Sequence, residues 1–429
     1  MKPITKEECL EYHAKPIPGK ISVEVTKPVR DARDLAIAYS PGVAEPCLEI
    51  EKNPDLAYEY TTKGNLVAVI SNGTAVLGLG NIGTLAGKPV MEGKGVLFKT
   101  FAHVNSFDLE VDITDVDKMV EFVKAVSPTF GGINLEDIKA PECFDIEKKA
   151  QAICDIPIFH DDQHGTAIIS AAAILNGCEI SGKKIEDLKI VVIGAGAAGL
   201  AACEMYKALG AKTIIVTDSK GAITTKRNDL NEYKKPWAVD MDIETLADAM
   251  VGADVIVGNS VANCITQDMV KTLAPEAMLF VMANPDPEIK PELALEVRPD
   301  IMYGTGRSDY PNQINNVLGF PYIFRGALDV RAKAVNMEMK LAACHALADL
   351  AKKPVPQYVK DAYNGADLKF SKEYILPKPF DRRVFVDVST AVAKAAMESR
   401  VARVTVDINE YKQKLINELK EKEGIDYEG

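Results

Sequence analysis

Two pairs of adjacent carboxylates stand out, Glu136 and Asp137 in INLEDI and Asp161 and Asp162 in IPIFHDDQHGTA. Each pair follows a short apolar run, where side-by-side negative charges repel and gain little from packing, so they need solvent or a cation. Oxygen donors without neighbouring cysteines suit a hard ion such as Mg2+ or Mn2+. His160 and His164 flank the second pair and read as structural or supporting side chains rather than ligands. A competing role is helix capping ahead of GTAIISAAAIL, but one aspartate would satisfy it.

A second constellation is Gly194, Gly196 and Gly199, with Ala197 and Ala198 between the last two. They fit G-x-G-x-x-G between a β-branched strand and an alanine-rich helix. In a dinucleotide site the first glycine makes the turn, the second admits the pyrophosphate, and the third lets helix and strand pack closely. Asp218 ends the next strand, where an acid meets the adenosine ribose. Its charge favours NAD, whereas Ser219 and Lys220 offer a hydroxyl and a cation for the added phosphate of NADP. Asn284 lies beyond the carboxyl end of a later strand, the ligand-binding edge of a parallel sheet, or else serves only as the turn residue before Pro285.

The elements that must hold these groups follow from periodicity. LKIVVIGAGAAGLAACEMYKALGAKTIIVTD reads as a βαβ unit, and ADVIVGNS and AMLFVMANP add strands. The expected fold class is therefore α/β, with two α/β domains of which the second is a Rossmann-type doubly wound parallel sheet. Residues 1–160 form the first domain, with LVAVISNG and TAVLGLG as strands and VDKMVEFVKAV as a helix. Residues 161–385 form the nucleotide domain, with about 316–380 able to return to the first, and residues 386–429 a C-terminal helical segment. KKPVPQY and LPKPFDRR read as surface connections, and Asn409 to Glu423 as a solvated amphipathic helix.

Composition narrows the function. With 50 Lys and Arg against 62 Asp and Glu, the 429-residue chain carries a net charge of −12, which argues against nucleic acid as a partner. No apolar run suggests a membrane span and the first residues carry acids, so the expected location is the cytoplasm. Eight scattered cysteines indicate neither zinc nor a disulfide framework, but reduced and mostly buried thiols.

Taken together, AYSPGVAEPC, SNGTAVLGLGNIG, PVMEGKGVLFKTFA, INLEDI, FHDDQHGTA, VVIGAGAAG, MANPDPE and GRSDYPNQINNVLGFPYIFRGALDV resemble the malic enzymes, particularly the short bacterial and archaeal form, over nearly the whole chain. The resemblance implies oxidation and decarboxylation of malate to pyruvate and CO2 with NADP or NAD reduced, NADP being favoured because D-S-K-G often accompanies it. It implies Mg2+ or Mn2+ held by Glu136, Asp137 and Asp162, with Asp161 in support. Lys94 falls on the family's general base and Tyr39 on its general acid, while Asn284, Asn315 and Asn316 fall on its substrate and nicotinamide contacts. A homo-oligomer, commonly a dimer, is implied as well. A usable lysine base must be neutral, so burial is expected to lower the pKa of Lys94.

One departure concerns Ala75, which stands where longer members carry an arginine for a malate carboxylate; Arg307 is the candidate replacement, or a surface ion pair. The rival activities are an oxaloacetate decarboxylase or malate-to-lactate enzyme that retains its cofactor, and a non-catalytic nucleotide sensor.

Overall fold

The computed structural model describes residues 4–427. Its first sheet is wholly parallel, in the order β2-β1-β3-β4, from β1 Leu66–Ser71, β2 Asn105–Glu110, β3 Gly132–Leu135 and β4 Ile158–His160. The second runs β10-β9-β8-β5-β6-β7, from β5 Lys189–Ile193, β6 Thr213–Asp218, β7 Gly221–Ala222, β8 Val255–Gly258, β9 Met278–Val281 and β10 Met302–Thr305. Its pairings are parallel except β6 with the two-residue β7. This is a doubly wound α/β sheet whose order reverses beside β5, the strand that leads into the glycine loop.

Both sheets are apolar on two faces, and alternate residues serve different cores. In β1, Val67 and Val69 face the large central core, whereas Leu66, Ala68 and Ile70 face an outer one with Met119, Val123 and Ile146. In β5, Ile190 and Val192 face the central core, and Val191 and Ile193 an outer one with Ile256 and Leu279. Helix Asp161–Ser181 runs through the central core, with fourteen buried residues and Gly182 closing it in the left-handed region at φ 68°. An alanine- and isoleucine-rich helix buried almost all round suits this place. Asn176 ties it to the carbonyls of Ala348 and Ile375 at 2.9 and 2.8 Å.

Helix Phe320–Asp329 packs back against helix Thr84–Ala102 through Phe98, whose ring is 4.9 Å from Phe320 and 5.3 Å from Phe324. Among the described residues, no helix is long and apolar enough to cross a membrane. All eight cysteines are free, five of them buried.

Three local expectations need correction. TAVLGLG is no strand: Val76 and Gly80 form an isolated bridge around a tight turn, and Leu77 and Leu79 are exposed with no neighbouring strand to pair with. LPKPFDRR is not a surface connection, since Asp381, Arg382 and Arg383 are buried and Arg383 forks onto Asp381 at 2.9 and 2.7 Å. The terminal helix, Ile408–Glu423, is not merely solvated but buries Tyr411, Leu415 and Leu419 against its own chain.

Candidate active site

β3 and β4 are neighbours and parallel, so the segments leaving their carboxyl ends deliver Glu136, Asp137, Asp161 and Asp162 to one place. Glu136, Asp137 and Asp162 each offer an oxygen within 4.8 Å of the others. Asp162 Oδ2 accepts a hydrogen bond from the backbone of Asp137 at 2.7 Å, joining the two strand ends directly. Asp137 has φ 53°, a left-handed conformation that aspartate tolerates better than most residues. The helix is capped instead by His160, whose Nδ1 accepts from the Gln163 backbone at 3.3 Å, which frees both aspartates from that task.

Lys94 reaches this cluster from helix Thr84–Ala102. Its ammonium donates to Asp161, lies 3.0 Å from Glu136 and sits 4.6 Å over the Phe320 ring. Asn316 also donates to Asp161 Oδ2, at 2.6 Å. Gly165, one helical turn on, is required here, because a Cβ would stand 2.7 Å from that of Asn316. Asn134 donates to Glu136 Oε2 at 2.8 Å.

The electrostatics reverse one expectation. Burial does depress Lys94, but the charges of Asp161, Glu136 and Asp162 outweigh it and hold the ammonium well above its ordinary pKa. The acids bear the complementary burden. Burial and the charge of Asp162 push Asp137 up to about 7, and burial above all raises Glu136 and Asp161. Asp137 Oδ2 is buried without a hydrogen-bond partner. Asp161 Oδ1 is a second such orphan, and a crowded, proton-hungry set of oxygens of this kind fits a hard divalent cation.

Behind the cluster lies a buried relay that sequence reading missed. Lys340 donates to His164 Nδ1 at 3.1 Å, His164 Nε2 lies 3.0 Å from both Glu147 oxygens, and Glu147 Oε1 accepts from the His160 backbone at 3.0 Å. It pins the start of the acid-bearing helix to helix Glu142–Ile153. His164 is therefore a support, as its flanking position suggested, but Glu147 and Lys340 carried no motif to reveal them.

The glycine loop has the geometry its spacing implies. A Cβ at Gly199 would collide with the carbonyl oxygen of Gly194, and one at Gly194 with that of Asn259, whereas Gly196 faces open space. Helix Ala197–Ala208 starts there with no side-chain cap, leaving its first amides free for phosphate oxygens.

Asn284 lies exposed at the end of the β9 segment. Gly78 of the first sheet's loop comes against its backbone so closely that a Cβ would strike its carbonyl oxygen, so the residue borders both sheets. Asn315 is not aimed at the acids, since its Oδ1 accepts from the Val317 backbone at 3.0 Å. Arg307 is engaged by Asp309 at 2.9 and 2.7 Å, the surface-pair alternative. Tyr39 is not brought to the cluster within this chain: it is 71% exposed at the end of helix Ala32–Ala38.

Residues 18–151 match the malic enzyme N-terminal domain, and residues 163–360 match the malic enzyme NAD binding domain. The chain belongs to the malic enzyme family. Among malic enzymes, the NADP-dependent malic enzyme of Halomonas elongata is 57% identical over 93% of this chain and 95% of its own length. That of Escherichia coli is 60% identical over 96% of this chain but 55% of its own, so the chain spans about half of that relative. The malic enzyme structure from Pyrococcus horikoshii superposes with a TM-score of 0.88 at 39% identity, covering 97% of each chain.

Proposed function

We propose that this chain oxidises L-malate and decarboxylates it to pyruvate and CO2, reducing NADP+ or NAD+, with Mg2+ or Mn2+ held by Glu136, Asp137 and Asp162. The observation that carries the reading is that Lys94 meets Glu136 and Asp161 at the acid cluster, in a chain that also has a glycine loop shaped for a dinucleotide.

A bound divalent cation supplies Lewis-acid polarisation of the substrate oxygen and a counter-charge for the acids. Lys94 accepts the proton of the C2 hydroxyl as hydride leaves for the nicotinamide. To do so it must first be neutral, and it becomes so once the oxygens of Glu136 and Asp162 are committed elsewhere and their field on the ammonium weakens. Asp161, fixed by Asn316 and sealed from solvent, positions Lys94. Asn284 borders substrate and nicotinamide, and Tyr39 returns a proton to C3 after CO2 departs.

Tyr39 needs a second copy of the chain. None of residues 4–65 is buried, and apolar side chains such as Leu10, Val25, Leu35, Ile37 and Leu48 stand in the open along them. So many exposed apolar side chains along one stretch of chain are those of a half-built interface. A homodimer covers it and carries Tyr39 into a completed site.

The test is reduced-cofactor absorbance with L-malate and Mn2+, run with NADP+ and NAD+ in parallel and with pyruvate assayed at the end. Reduced cofactor matched by pyruvate supports the reading. Pyruvate or lactate without released cofactor favours a decarboxylase that retains its nucleotide, and no product with either ion returns the nucleotide-sensor reading.

A further inference from the structure

A cavity of about 310 Å³ opens between helix Glu142–Ile153 and helix Ala197–Ala208, at the small end of the range in which proteins hold ligands. Phe144, Tyr233 and Trp237 give it an aromatic wall, and Leu200, Met205 and Met337 complete the apolar lining. The Phe144 and Tyr233 rings lie 4.6 Å apart and Tyr233 donates to Asp145 at 2.7 Å, so the wall is tied together across two segments distant in the chain. Among the described residues, neither the glycine loop nor the four acids line it.

Two polar side chains of the lining have donors to spare. Gln163 is 4% exposed, and its Nε2 is buried without a hydrogen-bond partner. Lys340, 9% exposed, lies 3.1 and 3.2 Å from the two ring nitrogens of His164, the residue after Gln163, and has further ammonium protons to give. A buried amide without a partner is a cost that folding alone does not explain. The charges restrict what these donors can meet. Lys340 faces the Glu147 carboxylate across His164, so the two cancel, and Glu204 stands exposed in the lining. A carboxylate or phosphate entering here would find no counter-charge. A carbonyl oxygen is neutral and has two lone pairs, one for each donor, and the rings beside it suit a flat apolar body.

We propose that this cavity binds a neutral aromatic carbonyl compound, whose ring packs among Phe144, Tyr233 and Trp237 and whose oxygen accepts from Gln163 and Lys340. Its occupant meets the relay of Lys340, His164 and Glu147 that pins the acid-bearing helix, at the residue directly after Asp162. Trp237 is the chain's only tryptophan, which gives binding an intrinsic reporter.

The experiment titrates the full chain with acetophenone, ethylbenzene and benzoate, followed by Trp237 fluorescence and calorimetry, with and without NADP+ and Mn2+. Acetophenone is expected to bind saturably and about tenfold or more tighter than ethylbenzene, which lacks the oxygen, and than benzoate, which carries a charge. NADP+ and Mn2+ should leave that binding in place. Gln163→Leu should weaken acetophenone about tenfold while ethylbenzene binds as before, and its melting temperature should not fall, because the substitution removes an unpartnered donor. Ala201→Phe, which fills the cavity from helix Ala197–Ala208, should abolish binding of both; if its melting shows that it does not fold, Gln163→Leu carries the test alone. Equal affinity for acetophenone and ethylbenzene, tighter binding of benzoate, displacement of acetophenone by NADP+, or wild-type binding in Ala201→Phe each overturns the site. Wild type that binds no acetophenone saturably, or Gln163→Leu that binds it unchanged, overturns the proposal as well.

Discussion

Asp137 concentrates the tension of the acid cluster in one carboxyl. Unfolded, it titrates near 4, as a free aspartate does; folded, burial and Asp162 push it up to about 7. Between about pH 4 and 7 the folded chain therefore keeps a proton that the unfolded chain has released, so stability falls as pH rises through that window. Denaturation midpoints measured with EDTA should decline from pH 5 to 7.5 more steeply for wild type than for Asp137→Asn. Mn2+ should flatten the wild-type decline, because binding at these oxygens competes with the proton. Lys94→Ala should abolish reduced-cofactor formation while sparing dinucleotide binding. It should also cost about 3 kcal/mol of stability, since it strips the cation from buried Asp161 and Glu136. Near-normal turnover in Lys94→Ala would remove it as the base. Asp162→Asn keeps an acceptor for the Asp137 amide but loses the charge, and should weaken Mn2+ binding without unfolding the chain.

At the scale of the element, Gly196 and Gly199, three residues apart, have separable duties. Gly199→Ala forces a Cβ into the Gly194 carbonyl and should cost about 1–3 kcal/mol as well as dinucleotide binding. Gly196→Ala meets nothing in the protein, so its melting temperature should stay near wild type while binding of NADP+ and NAD+ weakens. Equal melting temperatures for the two variants would mean that the loop is looser than the structure has it. This strand-loop-helix was legible in advance because period, glycine spacing and Asp218 all pointed one way. TAVLGLG misled because an apolar run reads as a strand until its neighbours are known, and this one has none. Arg227 and Lys234, the two cations that pair with Asp218, were invisible for a related reason. They lie in a connection with no period, and only the folded loop returns them to Asp218. The acids were legible as a set, but the sign of the Lys94 shift was not, since it depends on three carboxylates brought from two strand ends.

Over the whole molecule, the terminal helix acts as a clasp on the first sheet's helix Thr84–Ala102. Arg382, buried beneath it, donates to the Phe101 carbonyl at 3.0 Å and to Glu423 Oε2 at 2.6 Å, while His103 lies 2.9 Å from both Glu418 and Glu423. Glu423→Ala leaves that guanidinium without its carboxylate and should destabilise by about 3–5 kcal/mol. Leu415→Ala should cost about 2–4 kcal/mol through the cavity it leaves. Urea denaturation of both variants checks the clasp, and unchanged midpoints would show the helix to be dispensable.

The uncovered residues 4–65 have a kinetic consequence. If Tyr39 works only where a second copy closes over it, then in dilute solution the number of competent sites grows with the square of protein concentration rather than in proportion to it. Specific activity should then fall on dilution, regain its plateau when the chain is concentrated, and track the dimer fraction measured by sedimentation. The chain would be silent when scarce, its output set by abundance before any effector acts.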